Sequence, residues 1–301
     1  MIMSEEEYRN QPDVLNDPEW KKAFFYILYV GHCADYDEGM AYIEEKLKNT
    51  EELSQAATCQ ALGILVRRFY NIKEDLILPL LFENLKSNNK RVYGETFSLL
   101  KDIKGYVPRL KRKIYLAYVE NGFDFFTGKK LKIFTDKGLI YSLNNEEEKI
   151  EFILSFCQNS KNYQESLEVC LYFLKKNESE EINIAAFKGL TYIVFRFRKI
   201  EFKTVLPFIR KYLSYSMGMG TKCEYLYAES LLQDIAIVIP KLRIKAITFL
   251  KKYSYIHLIS STFVNYVIAK NKPKNQIKLE KILKLNVNNL KREKIKYNFD
   301  F

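Results

Sequence analysis

The chain has 301 residues, 48% apolar and 28% charged, with a formal net charge of +11. That balance excludes a disordered or fibrous protein and fits a chain able to bury a sizeable core. With only 11 glycines and 7 prolines, the turns of an all-β protein are not available, so long helices are expected.

The amino end, "MIMSEEEYRNQPDVLNDPEW", is polar and acidic and lacks the basic start and apolar core of a secretory signal. The apolar run Ala23 to Val30 falls far short of the roughly 20 residues that cross a bilayer. A cytoplasmic protein without a membrane span is expected. Residues 1–60 hold 5 basic and 13 acidic side chains. Asp35, Asp37, Glu38, Glu44 and Glu45 form a candidate contact group for a basic protein partner. His32 and Cys33 lie beside these acids, but their spacing matches no metal-ligand pattern. Neighbouring residues on a helix point about 100° apart, so the two make a poor base–nucleophile pair. No phosphate loop or hydrolase motif occurs, so no catalytic residue, metal or cofactor is assigned. The five cysteines (Cys33, Cys59, Cys157, Cys170, Cys223) are odd in number and widely spaced, which predicts buried, reduced thiols.

Apolar spacing predicts helices near 17–30, 38–48, 53–70, 74–87, 92–104 and 109–121. It continues with 145–158, 164–176, 181–198, 202–214, 224–238, 241–253, 259–269 and 276–290. Ala57, Ala61, Leu62, Leu65, Val66 and Phe69 make one stripe, and Leu76, Ile77, Leu80, Leu81 and Leu85 make the next. Pro79 is expected in the first turn of its helix, and Gly105 as the stop after Ile103. Between the helix sets, "KLKIF" and "LIYSL" flank "TDKG". This reads either as a short β-hairpin or as an irregular connector whose aromatic rings fill a gap.

"ALGILVRRFYNIKEDLILPLL" (Ala61 to Leu81) returns as "GLTYIVFRFRKIEFKTVLPFI" (Gly189 to Ile209). At this offset Leu62 falls on Leu190, Val66 on Val194, Arg68 on Arg196, Ile72 on Ile200 and Pro79 on Pro207. "SLLKDI" at Ser98 then meets "SLLQDI" at Ser230, with a short insertion in "SYSMGMGTKCEY". An ordered series of matches implies internal duplication. The expected fold is all-α: a HEAT- or armadillo-like α-solenoid of antiparallel hairpins. Its parts are a first half (1–121), a connector (122–144), a second half (145–253), and C-terminal capping helices with a basic tail (254–301). The matched Arg68 and Arg196, and Asp102 and Asp234, read as ligand-binding arginines or as structural ion pairs, Arg68 with Asp102 and Arg196 with Asp234. The second reading is preferred, because residues that repeat with a scaffold usually serve it.

Residues 239–301 carry 15 basic and 3 acidic side chains. The preferred reading is a lysine-faced terminal capping helix, with contact to nucleic acid or an anionic membrane surface as the alternative.

The pattern "ATCQALGILVRRFYNIKEDLILPLL" resembles the central motif of small HEAT-like immunity proteins of bacterial polymorphic toxin systems. Gly63, Arg67 or Arg68, Ile72, Pro79 and the following "LKDI" carry the likeness. The second copy keeps Arg196, Ile200 and Pro207 but has Thr191 in place of the glycine. The resemblance implies a non-catalytic protein that covers a toxin's active site. The alternative is nucleic-acid binding through Arg196, Arg198, Lys199 and the tail. HEAT-like alkylpurine DNA glycosylases use such a scaffold on DNA, but the single tryptophan, Trp20, lies near the amino end and the sequence offers no tryptophan-and-carboxylate pocket.

Overall fold

Small side chains decide which helix sits at the centre of each half. The computed structural model describes residues 26–32, 35–48, 52–215 and 223–253. It divides into two compact units, at Ile114 and Tyr115. In the first, a π-helical turn (Tyr26–Val30) is followed by α1 (Tyr36–Lys46), α2 (Glu52–Phe69), α3 (Glu74–Asn84) and α4 (Lys90–Tyr106). A 3-10 turn (Pro108–Leu110) then leads into α5 (Lys111–Glu120). Helix α2 packs against the π turn, α1 and α4. Its Ala56, Ala57, Ala61, Leu62, Leu65 and Val66 are buried. The alanines let neighbouring backbones come close, and Gly31 marks how close: a Cβ there would lie 2.9 Å from Ile64 Cδ1.

Caps set the helix ends. Asp35 accepts from Glu38 N at 2.8 Å, and Asn89 accepts from the amides of Arg91 and Val92. Gly105 does not stop α4, which runs on to Tyr106. Pro108 ends it instead, because the residue before a proline is disfavoured in the helical region and Val107 leaves it (φ −123°, ψ 72°). Pro79 lies not in the first turn of α3 but at its sixth residue. Its ring displaces a hydrogen bond to Asp75, and both residues face solvent, where water can serve the freed carbonyl.

The second unit contains the end of α5 and then α6 (Glu146–Asn159), α7 (Tyr163–Lys176), α8 (Glu180–Phe197), α9 (Phe202–Tyr215) and α10 (Cys223–Val238). A 3-10 turn (Pro240–Leu242) and α11 (Arg243–Tyr253) follow. Helix α8 packs against α6, α7 and α10, and α10 packs against α9 and α11. Phe152, Phe156, Phe173, Phe187, Tyr192 and Phe195 are fully buried among these helices, each contributing roughly 2–3 kcal/mol of transfer free energy.

The β-hairpin reading of the connector is not what forms. Among the described residues there is no strand, only an isolated antiparallel bridge between Phe123 and Lys130. The "KLKIF" backbone turns to α6 for its partners. Ser155 Oγ accepts from Phe134 N at 3.0 Å and donates to the Lys132 carbonyl. "TDKG" starts a 3-10 turn, Lys137–Tyr141, because Asp136 accepts from Gly138 N at 2.8 Å. The connector's Phe125 and Phe126 pack on Tyr115, Tyr192, Phe195 and Tyr227 within the same unit.

Local geometry recurs between the units at a fixed offset. Helices α2 and α8 are both 18 residues long, starting at Glu52 and Glu180. Tyr70 (φ 54°) and Arg198 (φ 52°) take the left-handed conformation just past these helices. Their amides bond to the carbonyls of Val66 and Val194 at 2.9 and 3.0 Å. Helices α3 and α9 each place proline at the sixth residue. After the insertion the offset grows by four, and the turns Pro108–Leu110 and Pro240–Leu242 correspond. The insertion's residues 216–222, Cys33, the expected helices 259–269 and 276–290, and the tail lie outside the described residues.

Candidate recognition surfaces

The acidic group of the first unit is spread along α1, and its charges are partly answered locally. Asp35 is used as the helix cap. Glu38 accepts from the Tyr29 hydroxyl at 3.1 Å. Glu44 pairs with Lys73, and Glu45 with Lys46, both at 2.5 Å. Asp37 is exposed. Asp37 is therefore the member most open to a partner, with Glu38 half-buried one position further along α1.

The expected ion pairs are replaced by a different arrangement. Arg68 Nη1 donates to the Gly31 carbonyl at 3.0 Å, and its guanidinium lies 4.8 Å from the Phe69 ring centre. Arg196 Nη1 donates to the Gln158 carbonyl, and its guanidinium lies 5.7 Å from the Phe197 ring. Each arginine thus ties the central helix to the end of the helical element two before it in the chain. Asp102 is met by Arg67, with Nε 3.5 Å from Oδ2. Burial pushes the Asp102 carboxyl up, and the Arg67 guanidinium opposes that shift. Successive helix positions are rotated by about 100°, so residues 67 and 68 must face different neighbours. In the second unit Phe195 stands where Arg67 stands in the first. Asp234 is fully buried and accepts from Thr191 Oγ1 at 3.4 Å. Thr191 corresponds to Gly63, where a Cβ would lie 3.1 Å from Asp102 Oδ2.

The edge formed by the α3 start, the 3-10 turn and α5 is electrostatically matched in the first unit. Arg109 donates to Glu74 at 2.6 Å and to Asn71 at 2.7 Å. Lys113 pairs with Asp75 at 2.8 Å and lies 3.5 Å from Glu74. In the second unit the corresponding positions carry Lys241 and Lys245 opposite Lys199, Phe202 and Lys203. The Phe202 ring packs 6.3 Å from Phe249 of α11, which brings the start of α9 to that helix. Lys199 Nζ sits 3.9 Å from the Tyr163 ring centre, and the Tyr163 hydroxyl accepts from Glu201 N at 2.9 Å. The 160–162 and 198–201 loops are therefore side by side. Arg198, Lys199, Lys161, Lys203, Lys241 and Lys245 are exposed. Among the described residues no carboxylate pairs with any of them. Of the residues flagged by sequence for nucleic acid, Arg198 and Lys199 remain available and Arg196 is committed to Gln158. Lys203, Lys241 and Lys245 are further members, and the offset between the matching sequence segments is the signal that finds them.

A second constellation lies inside the second unit. Asp124 is fully buried. Its Oδ1 accepts from Phe126 N at 3.0 Å, Thr127 N at 2.6 Å and Thr127 Oγ1 at 2.7 Å, and its Oδ2 accepts from the Tyr192 hydroxyl. Burial, then the Asp124 charge, pushes the Tyr192 pKa well above its ordinary value. Lys188 stands over the Phe126 and Tyr227 rings at 5.4 and 4.9 Å. Burial lowers its pKa, and the attraction of Asp124 partly opposes this. The cluster fastens the connector to α8. No local motif announces it, because Asp124 and Tyr192 lie 68 positions apart.

Cys157 and Cys170 are buried free thiols with sulfurs 3.4 Å apart, and Cys59 is buried beside Thr96. Among the described residues no group of three or more His, Cys, Asp or Glu side chains could hold a metal ion, and no helix is long and apolar enough to cross a membrane. No family model, curated protein or solved structure matches the chain.

Proposed function

We propose that this all-α protein is a non-catalytic recognition scaffold, an internally duplicated HEAT-like array of antiparallel hairpins that binds a protein partner. The observation that carries the duplication is the matched pair of arginines. Arg68 and Arg196 lie at the ends of matching 18-residue helices, precede a residue of positive φ by two positions, and donate to a main-chain carbonyl at the end of the helical element two before. A hairpin of this kind cannot cover its own apolar face, so neighbouring hairpins do so and leave their outer edges for recognition. The resemblance to toxin immunity proteins points to a toxin domain as partner, in a cytoplasmic setting. Blocking would be steric, with Asp37 and Glu38 steering a basic surface into place.

The test is affinity purification of the tagged full chain from its own cells, followed by calorimetry on the purified pair. A defined complex with nanomolar affinity, weakened at least tenfold by Asp37→Lys with Glu38→Lys, is expected. A complex indifferent to these charges would remove the acidic helix from the account, and recovery of nucleic acid with no protein would remove the protein-binding reading.

A further inference from the structure

We infer that the loop edge of the second unit, formed by Lys161, Arg198, Lys199, Lys203, Lys241 and Lys245, binds the phosphate backbone of a nucleic acid. The inference rests on the register between the two units described above. In the first unit the contacts at this edge are complementary: Asn71 with Arg109 and Asp75 with Lys113. At the corresponding positions the second unit sets Lys199 with Lys241 and Lys203 with Lys245. Positions that hold complementary side chains in the first unit thus hold like charges in the second, and lysines brought near one another repel unless an anion sits between them. The charges are not confined to one pair. Lys161 and Arg198 extend the row across adjacent inter-helix loops, held side by side by the Tyr163–Glu201 bond of 2.9 Å and the Arg196–Gln158 bond. Packed helices lie roughly 8–10 Å apart, so the row offers positive charge at repeated intervals.

The choice of a phosphate strand over an acidic protein follows from what the edge lacks. Protein interfaces centre on a buried apolar or aromatic anchor. The exposed large apolar side chains among the described residues are Ile133, Leu139, Tyr141 and Leu226, none of them on this edge. A row of cations without an apolar centre suits sequence-independent contact with phosphates.

The experiment is fluorescence anisotropy of the full chain with labelled oligothymidylate over a range of salt. With about four phosphates of a single strand neutralised, affinity should fall about 50-fold between about 50 and 200 mM salt. Lys199→Asn with Lys203→Asp installs the first unit's residues at these positions. It should roughly halve the logarithmic salt slope, so that the same interval costs only about sevenfold. Lys90→Asp, on the exposed surface of the first unit, should leave the slope unchanged. Circular dichroism checks that each variant is folded. The proposal is overturned by absence of binding at the lowest salt, by a variant slope equal to that of Lys90→Asp, or by polyglutamate competing as well per charge as DNA. The register is tested separately. If Lys203→Asp pairs with Lys245 as Asp75 does with Lys113, adding Lys245→Gln has little further effect on binding, whereas additive losses would refute the register and not the charged edge.

Discussion

Gly189 lies in α8 against the two thiols of the second unit, and adding one methyl group there has a consequence that can be worked out. An ideal Cβ would lie 2.8 Å from Cys170 Sγ, 3.1 Å from Cys157 Sγ and 3.3 Å from Ile153 Cγ2. Carbon in good contact sits about 3.5–4.0 Å from its neighbours, so at least the nearest sulfur must move. The sulfurs are already 3.4 Å apart and fully buried, on two helices packed against α8. Replacing glycine by alanine inside a helix favours folding by about 1 kcal/mol. Overpacking a tight core costs about 1–3 kcal/mol. Gly189→Ala should therefore destabilise the protein by about 1 kcal/mol. Gly94→Ala, in α4 with nothing within 4 Å of its Cβ, should stabilise by about 0.5–1 kcal/mol. Urea unfolding followed by far-ultraviolet circular dichroism reads both. Cys170→Ala removes the closest atom, so the double variant should show a favourable coupling of about 1–2 kcal/mol. A Gly189→Ala protein as stabilised as Gly94→Ala, with an additive cycle, would refute this packing of α6, α7 and α8.

Tyr192→Phe leaves Asp124 Oδ2 without its hydroxyl donor and should cost about 2–3 kcal/mol in the same unfolding assay. Arg68→Lys and Arg196→Lys each remove a planar group that both bonds a carbonyl and lies beside a ring. Each should cost about 1–2 kcal/mol, and to a similar extent. Arg67→Ala, whose partner lies at 3.5 Å on a half-exposed surface, should cost less than about 1 kcal/mol. Stability should also fall at alkaline pH. Burial pushes the Cys59 thiol up to about 11 and the Cys170 thiol well above its usual value. The unfolded chain then loses these protons from about pH 9 while the folded chain keeps them. The stability they contribute is complete below about pH 9 and lost as pH rises towards about 11. Chemical denaturation across that interval checks the sign, and Cys59→Ala should flatten the slope.

Much of the helical order is legible in the sequence, because apolar spacing and polar breaks act locally. Helices α2, α8 and α9 begin and end within a few residues of the expected positions. What the sequence misleads on depends on distant partners. "KLKIF" has strand-forming residues, but its backbone finds Ser155. Arg67 and Arg68 are neighbours in sequence, and only their rotation about α2 decides which one reaches Asp102. The acidic group on α1 looks open in the sequence, yet Glu44 is met by Lys73 from beyond the next helix. The cationic edge was hidden for the opposite reason. Its lysines are unremarkable singly and gain meaning only when Lys199 and Lys203 are set against Asn71 and Asp75, which occupy the same places in the first unit.

The account depends on each unit being organised around one buried helix, α2 in the first and α8 in the second. Hydrogen exchange read by mass spectrometry tests this directly, since protection follows local opening free energy. Peptides covering 52–69 and 180–197 should be the slowest to exchange in their own units, slower than α1 and α9. Either segment exchanging as fast as those flanking helices would contradict it.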